Sequence, residues 1–211
     1  FKKKPFFIVF EGIEGSGKSF LSKRIYKYLK KNHINSIYTR EPGGTSRAER
    51  IRYIILKDYF QKNKGEKFDK YTDTLLYLAA RNEHMVNKIK PALLKKKVVI
   101  CDRFIDSTLA YQVYGKKVKR KFIDNIHKQI LNGIRPNITF ILKVDINKAM
   151  IRIKKRASKN RYDKLTKSFY IKAQKAFINI ANKSKKNYYI LDNSKNDTSI
   201  EHKIINIIKK K

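Results

Sequence analysis

A single cysteine, Cys101, stands in the whole chain, so no internal disulfide framework can brace it. Acidic residues are scarce too: 17 Asp plus Glu face 52 Lys plus Arg, a formal net charge of +35. No apolar run approaches the roughly 18 residues that a membrane helix needs. The first such run, Phe6–Phe10, is strand-length and ends at Glu11. It lacks the longer apolar stretch and small-residue cleavage site of a signal peptide. The chain opens on Phe1 rather than Met, so a few leading residues are expected ahead of it. These absences lead to the expectation of a soluble, cytoplasmic protein with no membrane association. Hydrophobic residues still make up 41% of the 211, which excludes charge-driven disorder and allows one compact domain with a sizeable core.

The positive charge invites a nucleic-acid hypothesis. Its distribution weakens that hypothesis: lysines run along the whole chain, as at Lys95–Lys97 and Lys209–Lys211, together with abundant Asn and Ile. This looks like compositional drift rather than a basic patch, and no specific nucleic-acid partner is expected. The field would still draw in phosphorylated small molecules at low salt.

Apolar runs at 6–10, 36–39, 97–101, 138–144 and 188–191 read as strands. Helical spacing marks 20–29, 46–59, 71–90, 107–114, 119–131, 147–154, 168–182 and 200–208. Gln61–Lys70 reads as a polar connection and 157–164 as a basic flap. Strands alternating with helices imply βαβ units, a parallel sheet and helices on both faces, in a single domain spanning 1–211.

Residues 12–19 read GIEGSGKS, a match to G-x-x-x-x-G-K-[ST] between a predicted strand and a predicted helix. Glycines let the backbone curl so that successive N–H groups face one phosphate, and the helix N-terminus adds partial positive charge. Lys18 can reach the β- and γ-phosphates, and Ser19 can offer its hydroxyl to Mg²⁺. The loop implies a nucleoside triphosphate and leaves the acceptor open. The run ITFILKVD at 138–145 lacks the Asn-Lys-x-Asp element of a GTPase, and the chain is short for a helicase.

Three more clusters carry chemistry. Arg40-Glu41-Pro42-Gly43-Gly44-Thr45 follows the second strand, where a rigid turn could hold Arg40 against a phosphate; the bland alternative is a capping turn with a solvated arginine. Asp102-Arg103 closes the third strand, a place for a Mg²⁺-associated carboxylate and a phosphate-binding arginine, or for an ordinary strand-end ion pair; Ser107, Tyr111 and Gln112 follow at helical spacing. Tyr77, Arg81 and His84 share one helix face, suited to stacking and hydrogen bonding a nucleobase, although a core Tyr77 and a surface Arg81 fit the pattern too.

Taken together, GIEGSGKS at 12–19, TREPGGT at 39–45, LLYLAARNEH at 75–84, IKPAL at 89–93, VICDRFIDSTLAYQ at 99–112 and RPNITFILKV at 135–144 resemble the thymidylate kinase family over nearly the full chain. The resemblance implies an α/β, P-loop nucleoside monophosphate kinase-like three-layer sandwich with a five-stranded parallel sheet and a short lid at about 152–164. It implies transfer of the γ-phosphoryl group of ATP to dTMP with Mg²⁺, giving dTDP and ADP, by a homodimeric enzyme of the bacterial type. It assigns Gly12, Gly15, Ser16, Gly17, Lys18, Ser19 and Phe20 to ATP, together with Arg161 in the lid. Glu14 would meet the deoxyribose 3′ side, Arg40 and Arg103 the acceptor phosphate, Tyr77 the face of the thymine, and Arg81 a base carbonyl. Ser107, Tyr111 and Gln112 would line the sugar and base, and Asp102 would lie near Mg²⁺ with Ser19. Ser16 fits members whose catalytic arginine is in the lid, which makes Arg156 the candidate; Arg152, Lys154 and Lys155 read as a solvated basic helix end. The departures are Phe20, expected to pack under the loop, Tyr77 for Phe, Asn137 and Asn160 for Asp, and Asp163 for Glu. Rival readings are another P-loop nucleoside or nucleotide kinase, a nucleic-acid-binding ATPase, and a catalytically weak relative.

Overall fold

The computed structural model describes residues 4–56, 68–155, 161–195 and 197–211. Its centre is a five-stranded sheet in the order β2-β3-β1-β4-β5, with every neighbouring pair parallel. The strands are β1 (Phe6–Glu11), β2 (Ser36–Arg40), β3 (Val98–Asp102), β4 (Ile138–Lys143) and β5 (Tyr188–Asp192). The side-chain period of two divides β1 between two cores. Ile8 and Phe10 pack with Leu21, Ile25 and Leu29 of α1 (Lys18–Lys31) and with Ile200, Ile204 and Ile208 of α9 (Ser199–Lys209). Phe7 and Val9 face the opposite way, onto Met85, Ile89, Ala92 and Leu131. Strands covered on both faces explain why they read as unbroken apolar runs rather than alternating ones.

The second face carries α2 (Ser46–Leu56), α3 (Lys70–His84), α4 (Lys90–Leu94), α5 (Ile105–Thr108), α6 (Arg120–Leu131), α7 (Ile146–Lys154) and α8 (Lys167–Lys183). The helix expected over 71–90 runs further: α3 passes through a π-helical turn, Met85–Ile89, directly into α4. Pro91 sits in the first turn of α4, and the wider turn ahead of it accommodates a residue with no N–H to donate. Asp69 caps α3 by accepting from the Tyr71 N–H at 2.7 Å, and Asp145 caps α7 through Lys148 N–H at 2.9 Å. The end of the helix expected over 46–59 and most of the connection 61–70 lie outside the described residues. Part of the flap read at 157–164 does too; its last residues form a 3₁₀ turn, Arg161–Lys164.

Asn137, which stands where the resemblance has Asp, pins the start of β1: its Oδ1 accepts from Phe7 N–H at 2.7 Å and its own N–H donates to Phe7 O at 2.8 Å. The amide serves this neutral pairing without a carboxylate. Among the described residues, no helix is long and apolar enough to cross a membrane.

Phe140 is fully buried, with its ring centroid 5.3 Å from that of Phe10 and 5.8 Å from that of Tyr189. Phe140→Ala should cost about 3–5 kcal/mol of stability, read as a large drop in the urea midpoint with an unchanged slope.

Candidate active site

The central strand β1 runs into residues 12–17, which curl back to start α1. Gly15 needs its positive φ of 75°, and a Cβ there would lie 2.6 Å from Ala149 O. The loop is tied from outside: Asn193 Nδ2 donates to Ser16 O at 2.8 Å, and Arg152 Nη1 donates to Gly15 O at 3.0 Å. Arg152 also reaches the carbonyls of Asn193 and Ser194. It is therefore a brace between the phosphate loop and the segment after β5, not the solvated helix end that its basic neighbours suggested.

Parallel strands bring their carboxyl ends to one edge, and register aligns Phe10, Asp102 and Arg40 across β1, β3 and β2. A cleft of about 500 Å³ opens above that edge, lined by Glu14, Lys18, Ser19, Arg40, Tyr77, Arg81, Asp102, Arg103, Ser107, Tyr111 and Gln112 among others. The sequence clusters, up to about 100 residues apart in the chain, thus meet where the topology of an open α/β sheet places ligands.

Arg103 is the hub. It adopts a left-handed φ of 72°, which turns its side chain back to the phosphate loop. Nη2 donates to Glu14 Oε1 at 2.7 Å, and Nη1 donates to Gly12 O at 3.0 Å and Ser107 Oγ at 2.9 Å. Tyr111 Oη donates to the other oxygen of Glu14, Oε2, at 2.5 Å, and the Arg103 guanidinium stands 5.3 Å from the Tyr111 ring centroid. Burial opposes ionisation of Glu14, but Arg103, Lys18 and Tyr111 more than offset it and hold the carboxyl below its ordinary range. Lys18 Nζ donates to Ile13 O at 3.1 Å.

Ser19 Oγ donates to Asp102 Oδ2, and Asp102 Oδ1 is buried with no hydrogen-bond partner among the described residues. A hydroxyl and a carboxylate oxygen left open beside the phosphate loop fit a hard divalent cation such as Mg²⁺, which takes few protein ligands and keeps waters. Gln112, 2% exposed, likewise has its Nε2 without a partner among the described residues, at the wall of the cleft.

Arg81 departs from expectation. Nε donates to Glu41 Oε2 at 2.7 Å, Nη1 to Thr108 Oγ1 and His127 Nε2 at 2.8 Å each, and Nη2 to Phe104 O at 2.9 Å. Nη2 also pairs with Glu41 Oε2 at 2.7 Å. Four hydrogen bonds and this ion-pair contact already occupy the guanidinium, so donation to a base carbonyl would require it to give one of them up. Burial, with the charges of Arg81 and Arg135, pushes His127 down to about 3, so its neutral ring can accept from Arg81. Glu41 Oε1 meets His84 Nδ1 at 3.1 Å, and His84 Nε2 meets Thr39 Oγ1 at 2.6 Å. In the neutral ring Nδ1 donates to the carboxylate and Nε2 accepts the Thr39 hydroxyl proton. This network fastens the 39–45 loop to α3, and Gly44 lets it pass close, since a Cβ there would lie 2.6 Å from His84 Nε2. Arg40 stays 48% exposed at the cleft mouth, paired with Glu49 at 3.1 Å.

Two other expectations change. Phe20 does not pack under the phosphate loop: it is 60% exposed, with the Arg24 guanidinium 5.6 Å from its ring centroid. Arg161, assigned to ATP, lies against α3 on the Tyr77 side of the cleft, bonded to the fully buried Asp73 and 5.8 Å from the Tyr77 ring centroid. The extra hydroxyl of Tyr77 meets Tyr162 Oη at 2.5 Å, which supplies the partner that replacing Phe required. Arg156 lies outside the described residues. Sequence reasoning missed Glu41, Asp73, Tyr162, His127 and Glu11. Of these, Glu11 carried a signal, an acid placed at the end of a buried strand.

A glycine-rich phosphate loop on the central strand of a 2-3-1-4-5 parallel sheet, facing an arginine at the end of the adjacent strand, defines a P-loop nucleoside monophosphate kinase. The thymidylate kinase family model matches residues 10–204. A thymidylate kinase of Wolbachia pipientis from Culex pipiens is 41% identical over 209 residues, covering 97% of this chain and 96% of that one. One from Ehrlichia chaffeensis is 41% identical over 180 residues, covering 84% and 83%. The crystal structure of thymidylate kinase from Ehrlichia chaffeensis superposes with a TM-score of 0.76 at 33% identity, covering 98% of this chain and 99% of that one. The chain belongs to the thymidylate kinase family.

Removing the carboxylate from the Arg81 network leaves a buried, uncompensated guanidinium, so Glu41→Ala should cost about 3–5 kcal/mol. The pH dependence has a definite sign. Burial opposes the Glu41 charge, but Arg81 and His84 hold its folded value below the ordinary 4.5. Its stabilisation is therefore complete above pH 4.5 and is lost as the pH falls through the lower folded value. Glu41→Gln should flatten that acid limb in thermal melts run from pH 7 downwards.

Proposed function

We propose that this cleft carries out the family's reaction, ATP plus dTMP giving ADP plus dTDP, with the residues in the following roles. The observation that supports the reading is the Glu14–Arg103–Tyr111 cluster, which lines the same cleft as Lys18 and Ser19 and suits an acceptor phosphate. Arg103, with Arg40 at the mouth, holds the acceptor phosphate. Tyr77 and Tyr111 wall the base and sugar, and Gln112, with its unpaired amide, hydrogen-bonds the base. The nucleophile is a phosphate oxygen whose second pKa is about 6, so it is anionic near neutrality and no general base is needed. Catalysis then rests on positioning and charge stabilisation. Lys18 and Arg103 draw the two substrates' phosphates together, and Arg156 is the candidate lid arginine for the transferred group. Ser19 and Asp102 would hold Mg²⁺, which when bound neutralises phosphate charge. The Arg81 network keeps the 39–45 loop in register with α3.

We also propose a homodimer, as the resemblance implies. Leu75 of α3, and Tyr53 and Ile54 of α2, are exposed apolar residues of the kind a second copy would cover. A cytosolic setting fits an enzyme of nucleotide supply.

The test is ADP formation with a panel of acceptors. Turnover with dTMP far above that with dGMP, dCMP or thymidine is the expected result; equal use of dGMP or thymidine would replace the reading with another P-loop kinase, and stimulation by single-stranded DNA with a ATPase. Lys18→Met should lower kcat by at least about 10²-fold, the scale for removing one transition-state donor, while circular dichroism stays unchanged.

A further inference from the structure

The acid that ends β1 has no place in the reaction described above, yet it is fully buried beside the site. Glu11 Oε1 accepts from the backbone N–H of Phe104 at 2.7 Å and of Ser107 at 3.1 Å. Its Oε2 accepts from Ser107 Oγ at 2.6 Å. The same Ser107 Oγ accepts from Arg103 Nη1 at 2.9 Å. Three donors thus fix one carboxyl group to the segment that follows β3, and the segment passes the constraint to the Arg103 side chain. Arg103 needs it. Its left-handed backbone is uncommon for a residue with a Cβ, and its N–H is bonded to Phe10 O at 2.9 Å, one residue before Glu11. The end of β1 therefore holds Arg103 twice, by backbone through Phe10 and by side chain through Glu11 and Ser107. Glu14, on the other side, takes Nη2. A planar guanidinium with Nη1 and Nη2 held from opposite sides has a fixed orientation, which is what recognition of a phosphate by an arginine fork demands.

We infer that Glu11 is a positioning residue for the acceptor phosphate: through Ser107 it sets the orientation of the Arg103 guanidinium. The inference rests on the reading of Arg103 as the arginine that holds that phosphate. Glu11 touches no substrate, and its role is to keep the fork aimed. A misplacement of about 1 Å is enough to cost on the order of 10²-fold in a positioned site.

The experiment is equilibrium binding of dTMP and of thymidine to the intact protein, which differ only in the phosphate, together with KM for dTMP and ATP. Glu11→Asp retracts the carboxyl by one methylene, about 1.5 Å, and keeps its chemistry. Expected is a loss of dTMP affinity of about tenfold or more, with thymidine affinity and KM for ATP unchanged. Ser107→Ala cuts the relay at its second link and leaves both backbone N–H bonds to Glu11 in place; it serves if Glu11→Asp does not fold. The ratio of dTMP to thymidine affinity, which any contact of Ser107 with the sugar would leave alone, should fall as it does for Glu11→Asp, and in the double variant it should fall no further than in the worse single one. Unchanged dTMP affinity, an equal loss for dTMP and thymidine, or additive losses would overturn the inference. Arg103→Met is the control: if it does not separate dTMP from thymidine, the reading of Arg103 itself is what has failed.

Discussion

The ion pair between Glu14 and Arg103 is the contact on which the rest of the site depends. It joins the phosphate loop after β1 to the residue that ends β3, under cover, at the edge where the sheet's strands terminate. Breaking such a pair by removing one partner typically costs about 3–5 kcal/mol, a sizeable share of the roughly 5–15 kcal/mol that holds a domain together. Burial weakens an arginine's hold on its proton, yet the negative charge of Glu14 beside it reverses that effect and raises Arg103 above its ordinary value. The guanidinium therefore stays charged at any working pH. A permanently charged, oriented arginine facing Lys18 gives the cleft two positive arms, and a phosphate entering between them meets charge that needs no rearrangement.

The same logic repeats at a second level. Arg81 and Glu41 form another buried pair, extended by His84 and Thr39 on one side and His127 on the other. This pair is the more deeply buried of the two: the Arg81 and Glu41 side chains are 3% and 4% exposed, against 14% and 10% for Arg103 and Glu14. Arg81 is correspondingly bonded to the protein on every side, while Arg103 lies along the cleft wall. A surplus of 35 positive charges over the whole chain contributes little to either pair, because most of the described lysines are exposed, where solvent and salt screen them. Local carboxylates, few as they are, decide which cations do chemistry.

The sheet and the phosphate loop were legible because their signals are local. Strand-length apolar runs, a glycine-rich turn and helical spacing occur within windows of a dozen residues, and all five expected strands appear within a residue or so of their expected ends. Phe20 and Arg161 were misplaced because nothing local says which way a side chain faces at a helix start or after a long loop. Phe20 follows Ser19 on the first turn of α1, and its direction is set by the curl of the loop, which turns it outwards. The acids Glu11, Glu41 and Asp73 escaped notice for a related reason: each looks like an ordinary polar residue until a distant cation is brought to it, Arg161 and Lys116 in the case of Asp73.

Asp73 also decides where the 161–164 turn is anchored. Arg161 and Lys116 both terminate on this one carboxylate, and Tyr162, beside Arg161, bonds Tyr77 and packs edge-on against Tyr111 at 5.4 Å. The turn at 161–164 is thus anchored on the Tyr77–Tyr111 wall of the cleft, not on the phosphate loop. Arg152, on the other flank of the span that the sequence marks as a lid, is tied to Gly15 of the phosphate loop. The two described flanks are therefore held by different walls of the cleft, one by the phosphate loop and one by Asp73 and the Tyr77–Tyr111 wall, and Arg156, the arginine proposed for the transferred phosphoryl group, lies between them in sequence.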